Sequence, residues 1–277
     1  MKILILTDME GVAGVLNHDD WVVPGGRFYT KGMRLLTEEA NAAVDGFFLA
    51  GADEVVVRDG HGFGGLDPEI LDERALLSRG PAEHGWPAAL NDTFDGIAFV
   101  GQHAKAGTPY SHITHTQWFN YIDLTVNGLS IGEYGQVAFC AKELGIPTIL
   151  ACGEEALCKE AEELTPGVIT VSGKRGLMAD GLDDLDTDAY RAAKLGALHK
   201  SPKVVRSLIR EGAKAALQRL KETPDAFHYP MLTAPYKRTI RFRQEGDKAP
   251  YETTDEHPDS FFALMNTPIA PGPKIPE

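Results

Sequence analysis

The sequence predicts an α/β fold: a three-layer, mostly parallel sheet core with a smaller carboxyl-terminal α+β lobe. Three observations predict it. Short apolar runs at Ile3 to Leu6, Val55 to Val57 and Gly96 to Val100 read as buried strands, and a segment with helical apolar periodicity separates the first two. Each run breaks into a polar cluster, Asp8/Glu10, Asp59/His61 and His103 in turn. Open α/β sheets hold their ligands at that end of their strands. A length of 277 residues suits one large α/β domain, or a main domain with a smaller lobe.

Residues 2–7 form the first strand, and 8–26 a loop rich in Gly, Asp and Pro. Met33, Leu36, Ala40, Val44 and Phe47 step by three or four and predict a helix over 28–49, which Gly51 ends. The second strand covers 53–58. A weaker αβ segment covers 66–92, and the third clear strand covers 96–100. Asn127-Gly128 between two strand-like runs predicts a type I′ hairpin. Gly132-Glu133 opens a helix that Gly145 ends. A short buried strand at 147–151 and a helix at 153–164 follow, with Glu154 and Glu155 favoured by the helix dipole in its first turn.

Over 176–188 the pattern gives way to Asp180, Asp183, Asp184, Asp186 and Asp188. This reads as a solvated acidic loop, since it lacks the spacing and terminal glutamate of an EF-hand. Ser201-Pro202 caps the next helix, and 239–243 alternates as a strand. The tail from Ala270 to Glu277 carries three prolines and is expected on the surface or docked on a neighbour.

The net charge of −13 argues against nucleic acid and anionic membranes as partners. No apolar run is long enough for a membrane helix. Met1-Lys2 enters the first strand without a charged-then-apolar leader, so the chain is expected in the cytoplasm. Cys140, Cys152 and Cys158 are expected as buried, reduced thiols.

Asp8 and Glu10, two carboxylates one residue apart, repel each other unless a cation lies between them. With His61, His103 and Glu133 they make five candidate metal ligands. Carboxylate plus imidazole suits zinc, manganese, iron or cobalt. Five ligands exceed one catalytic site with an open position and suit two metals, with Asp8 at the strand end as the natural bridge. His115 is a further ligand, a general acid or base, or a nucleophile. His18, His84, His199, His228 and His257 are expected as ordinary surface or hydrogen-bonded residues, with His112 intermediate.

Asp8-Met9-Glu10-Gly11 resembles the amino-terminal signature of the dinuclear-zinc D-aminopeptidases of the DppA type. The likeness continues through Leu36-Thr37-Glu38-Glu39-Ala40-Asn41, Asp59-Gly60-His61, Gly101-Gln102-His103-Ala104-Lys105, the Ser/Thr-flanked His115 and Gly132-Glu133. It runs on through Ala151-Cys152-Gly153 and Ala161-Glu162-Glu163-Leu164, so it covers about the first 165 residues.

The resemblance implies two zinc ions bridged by Asp8, one completed by Glu10 and His61 and the other by His103 and Glu133. It implies His115 as the catalytic histidine, as nucleophile or acid/base. It also implies a homo-oligomer, a ring-stacked decamer with active sites facing an internal channel. Residues 1–165 are accordingly expected as the metal-binding catalytic core, and 166–277 as the lobe that completes the fold and makes oligomer contacts.

Departures are visible. Leu6 and Gly60 stand where the family has serine, and the stretch from His103 to His115 is one residue longer. The acidic stretch 176–188 looks inserted, and the carboxyl-terminal part is short and poorly matched. The expected activity is zinc-dependent hydrolysis of the amino-terminal amide bond of short peptides, with small D-residues implied by the resemblance. The alternatives are an L-aminopeptidase or small-amide amidohydrolase, a non-catalytic metal- or peptide-binding protein, and a dinuclear phosphoesterase, for which no Gly-rich phosphate loop is present.

Overall fold

The computed structural model describes residues 1–81 and 85–274. In chain order its elements are β1 (Lys2–Thr7), α1 (His18–Trp21), α2 (Tyr29–Leu49), β2 (Glu54–Asp59), β3 (Leu76–Ser78), β4 (Gly96–Gln102), β5 (Tyr121–Val126) and β6 (Leu129–Ser130). Then come α3 (Glu133–Glu143), β7 (Thr148–Glu154), α4 (Glu155–Leu164), β8 (Ile169–Gly176), α5 (Thr187–Ala193), β9 (Ala197–His199) and α6 (Pro202–Glu222). A 3₁₀ turn (Pro224–Ala226), β10 (Tyr236–Phe242), β11 (Tyr251–His257) and α7 (Phe261–Met265) complete the chain.

The main sheet has the order β3-β2-β1-β4-β7-β8-β9. Its pairs are parallel, except that β9 runs antiparallel to β8. β1, β4 and β7 lie at its centre and are buried on both faces, as continuous apolar runs require. Ile3 and Ile5 of β1 join the core under α2 and α6, whereas Leu4 and Leu6 join a second core with α3 and α4. This alternation makes the fold a three-layer α/β structure.

A smaller antiparallel sheet has the order β11-β10-β5-β6 and packs into the second core. Its β5–β6 turn is the expected hairpin: Asn127 and Gly128 have φ of +52° and +81°, both in the left-handed region that a type I′ turn needs.

The sheets do not divide at residue 165. β8 and β9 extend the main sheet and α6 covers it, whereas β5 and β6 belong to the small sheet. The reason is the free edge of the hairpin strand β5, with which β10 pairs from Arg238 to Phe242.

Among the described residues between 66 and 92 the expected αβ segment is reduced to the three-residue β3, with turns around it. Pro68, Pro81 and Pro87 remove backbone donors along that stretch. Ser201 makes no side-chain cap bond, and α6 begins on Pro202 alone. In the acidic loop Asp186 caps α5, accepting from Ala189 N at 2.8 Å, and Arg243 donates to the carbonyls of Leu182 and Leu185. Ile275 to Glu277, the end of the proline-bearing tail, lies outside the described residues, as does His84.

Candidate metal centre

Glycines let three strand ends meet. A Cβ on Gly11 would lie 1.9 Å from the Gln102 carbonyl oxygen, and one on Gly101 2.0 Å from that of Asp8. Gly101 also has a φ of +77°, which favours glycine. With both residues bare, Gly11 N donates to Gly101 O at 2.7 Å and Asp8 N to Val100 O at 3.0 Å. The loop after β1 is thereby clamped to the end of β4. Gly60 answers the same demand, since a Cβ there would lie 2.7 Å from Thr7 O.

Asp8, Glu10, His61, His103 and His115 are buried, and Glu133 opens α3 beside them. Asp8 divides its two oxygens. Oδ1 lies 3.1 Å from His61 Nδ1, and Oδ2 lies 3.2 Å from His103 Nε2. Glu10 Oε2 is 3.4 Å from the same His61 nitrogen, and Glu133 Oε1 is 3.7 Å from His103 Nε2 and 3.8 Å from His115 Nε2. All six residues singled out in the sequence therefore meet in one place.

Each histidine is oriented by a backbone carbonyl on its other nitrogen. His61 Nε2 donates to Val22 O at 2.7 Å, His103 Nδ1 to Ala104 O at 2.9 Å and His115 Nδ1 to Ile113 O at 3.0 Å. A carbonyl only accepts, so the proton of a neutral ring sits on that nitrogen and the lone pair faces the carboxylates. Lone pairs facing carboxylates require a cation. Glu10 Oε2 and His103 Nε2, both buried, have no aligned hydrogen-bond partner. Ligand atoms of Asp8, Glu10 and His103, and of His103, His115 and Glu133, each gather within 4.8 Å. The donor set fits divalent transition metals.

Protonation follows the same field. Burial alone would raise the Asp8 carboxyl, but His103 and His61 hold it well below the ordinary range. Burial would lower His61 and His103; the carboxylates around them overcome it and hold both well above the ordinary value. Protons on these rings stand where metal ions fit. Burial, and then the charge of His103, push His115 down to about 4, so it is neutral at pH 7.

Sequence reasoning missed several residues. Gln102 donates to Asp8 Oδ2 at 3.0 Å and reaches Glu133 Oε2 at 3.5 Å; it stood inside the Gly-Gln-His cluster without a role. Gln117 N donates to Glu133 Oε1 at 2.7 Å. Lys174 of β8 is buried and donates to Glu10 O, with no local signal to announce it. Glu154, expected in the first turn of α4, is the residue before it and is buried, accepting from Ala104 N and His112 N at 3.0 and 2.6 Å. His18 is buried, lines the cavity and meets Trp118 and Phe119 edge-on. His112 Nε2 donates to Leu16 O at 3.2 Å and lies outside both ligand groups.

The site opens into a cavity of about 490 Å³. A family model described as D-aminopeptidase, Peptidase_M55, matches residues 1–251. The chain belongs to this D-aminopeptidase family. The match extends well past residue 165. A D-aminopeptidase of Bacillus subtilis (strain 168) is 36% identical over 177 residues, which are 63% of this chain and 64% of that relative. The aligned part thus spans slightly less than two thirds of the relative's length. Among solved structures, the fold matches the Zn-dependent D-aminopeptidase DppA from Bacillus subtilis, described as a self-compartmentalizing protease. That match has a TM-score of 0.81 and 27% identity over 96% of each chain.

Proposed function

We propose that this member of the D-aminopeptidase family is a zinc-dependent aminopeptidase that releases the amino-terminal residue of short peptides, with D-residues preferred. The observation that carries this is the division of Asp8 between His61 and His103. One carboxylate serving two opposed imidazoles is the arrangement of a bridging ligand. Asp8 would then be shared by two zinc ions, with Glu10 and His61 as the residues that would hold one and His103 and Glu133 the other. Zinc held there would supply a water of near-neutral pKa and a Lewis acid for the carbonyl.

The side chains divide the remaining work. Gln102 fixes the Asp8 carboxylate, and Gln117 N fixes Glu133. Neutral His115, its Nδ1–H held on Ile113 O, offers the Nε2 lone pair to take up a proton, and the Nε2–H so formed donates to the developing oxyanion. The D-preference is supported by the family and by the named activity of both relatives.

The self-compartmentalizing description of the DppA structure supports reading this chain as a subunit of a homo-oligomer, and a homodecamer is the assembly we propose. Among the described residues no helix is long and apolar enough to cross a membrane. The three cysteines are free and buried, which supports a cytoplasmic address.

The test is turnover of paired D- and L-aminoacyl amides by the zinc-loaded protein, with products identified by mass. Release from the D-series at least tenfold faster supports the proposal. An L-preference replaces it with the L-aminopeptidase reading, and tight binding without product leaves a binding protein.

A further inference from the structure

The cavity continues from the metal residues across the α3 face of the main sheet. Leu6 of β1, Phe99 of β4 and Val137 of α3 line it there. In the sheet Leu6 is registered against Phe99 on one side and Arg58 of β2 on the other. Registered partners on neighbouring parallel strands point to the same face, and Arg58 also lines the cavity.

The Arg58 guanidinium is held from behind by neutral groups. Nη1 donates to Ser78 Oγ at 3.3 Å and Nη2 to Gly80 O at 2.7 Å. The adjacent carboxylate, Asp59, is engaged elsewhere: Oδ1 accepts from Gly65 N at 2.9 Å, and Oδ2 lies 3.6 Å from Arg79. Among the described residues Arg58 is thus oriented without a carboxylate partner, in a cavity whose other end gathers Asp8, Glu10 and Glu133.

This charge layout orients a ligand. With the amino end of a peptide at the metal residues, its anionic group is attracted to the guanidinium, whose planar fork matches a carboxylate. Leu6, Phe99 and Val137 give the chain between the two ends an apolar floor. Resting on the aminopeptidase reading, we propose that Arg58 anchors the free terminal carboxylate of a short peptide whose amino end lies at the metal residues. The enzyme then reads its substrate by both termini.

The test compares D-Ala-D-Ala with its carboxamide, following release of the amino-terminal alanine by zinc-loaded wild type, Arg58→Gln and Arg58→Lys. Wild type is expected to favour the free acid by about 10- to 100-fold in kcat/KM, the range of a hydrogen bond to a charged group. Arg58→Gln brings that ratio close to one, and Arg58→Lys restores part of it. A wild-type ratio near one overturns the assignment. So does an Arg58→Gln protein that slows both substrates equally, which is what a structural role would do. If Arg58→Gln fails to fold, the wild-type ratio and the Arg58→Lys ratio decide. If neither peptide is cleaved, the hydrolase reading fails by itself, and calorimetric titration of the same two peptides decides for Arg58: tighter binding of the acid supports it and equal binding overturns it.

Discussion

The rings of His103 and His115 stack with their centroids 4.2 Å apart and their planes 25° apart. Both turn Nε2 toward Glu133 Oε1, and both have Nδ1 tied to a backbone carbonyl. The same contacts suit two roles for His115, ligand or proton carrier. His103 differs in reaching Asp8 as well, at 3.2 Å.

His115→Ala separates those roles. kcat should fall by about 10²- to 10⁴-fold, the range of lost acid–base catalysis, while the zinc content stays at the wild-type level. Metal analysis beside steady-state kinetics reads both. Loss of one zinc with His115 would make it a ligand instead.

Lys174 supports the loop that carries Asp8 and Glu10. Its buried ammonium donates to Glu10 O and reaches Val15 O at 3.5 Å. Lys174→Met removes that tie while leaving every proposed ligand side chain in place. Zinc affinity should fall about 10- to 100-fold, as for other partners behind a ligand, measured by competition with a chelator. Unchanged affinity would show that the loop holds its shape unaided.

Glu39 makes stability depend on pH. Burial pushes its carboxyl up to about 8 from an ordinary value of 4.5, against the opposing pull of Ala13 N and Lys174. The folded state therefore binds this proton more tightly than the unfolded one. The contribution of Glu39 is fully present below about 4.5 and is lost as pH rises through about 8. Glu39→Gln keeps the neutral form at every pH. Denaturant unfolding should show the variant gaining on wild type at pH 8.5 and close to it at pH 5; an equal offset at both values would contradict the assignment.

The strand ends were legible because their chemistry is local. β1 is a continuous apolar run ending in Asp8-Met9-Glu10-Gly11, and the parallel register of β1 with β2 and β4 does the rest. His61 and His103 could be read for the same reason. The orienting contacts were not legible, because they join residues far apart in the chain. Val22 O holds His61 from 39 residues away, and Lys174 holds Glu10 from 164. Nothing in a window around Lys174 distinguishes it from a surface lysine. The composition of the small sheet was not legible for a similar reason: β5 pairs with β10 across more than a hundred residues. Arg58 sits in an ordinary apolar strand, and only the register against Leu6 brings it to the cavity.

In the proposed centre Asp8 would hold two metal ions at once. The most direct measurement is elemental analysis of purified wild type and Asp8→Ala after zinc loading and gel filtration. Two zinc ions per chain are predicted for wild type, with both lost or greatly weakened in Asp8→Ala and hydrolysis lost with them. A single zinc in wild type, or two retained by a folded and active Asp8→Ala protein, would contradict the account.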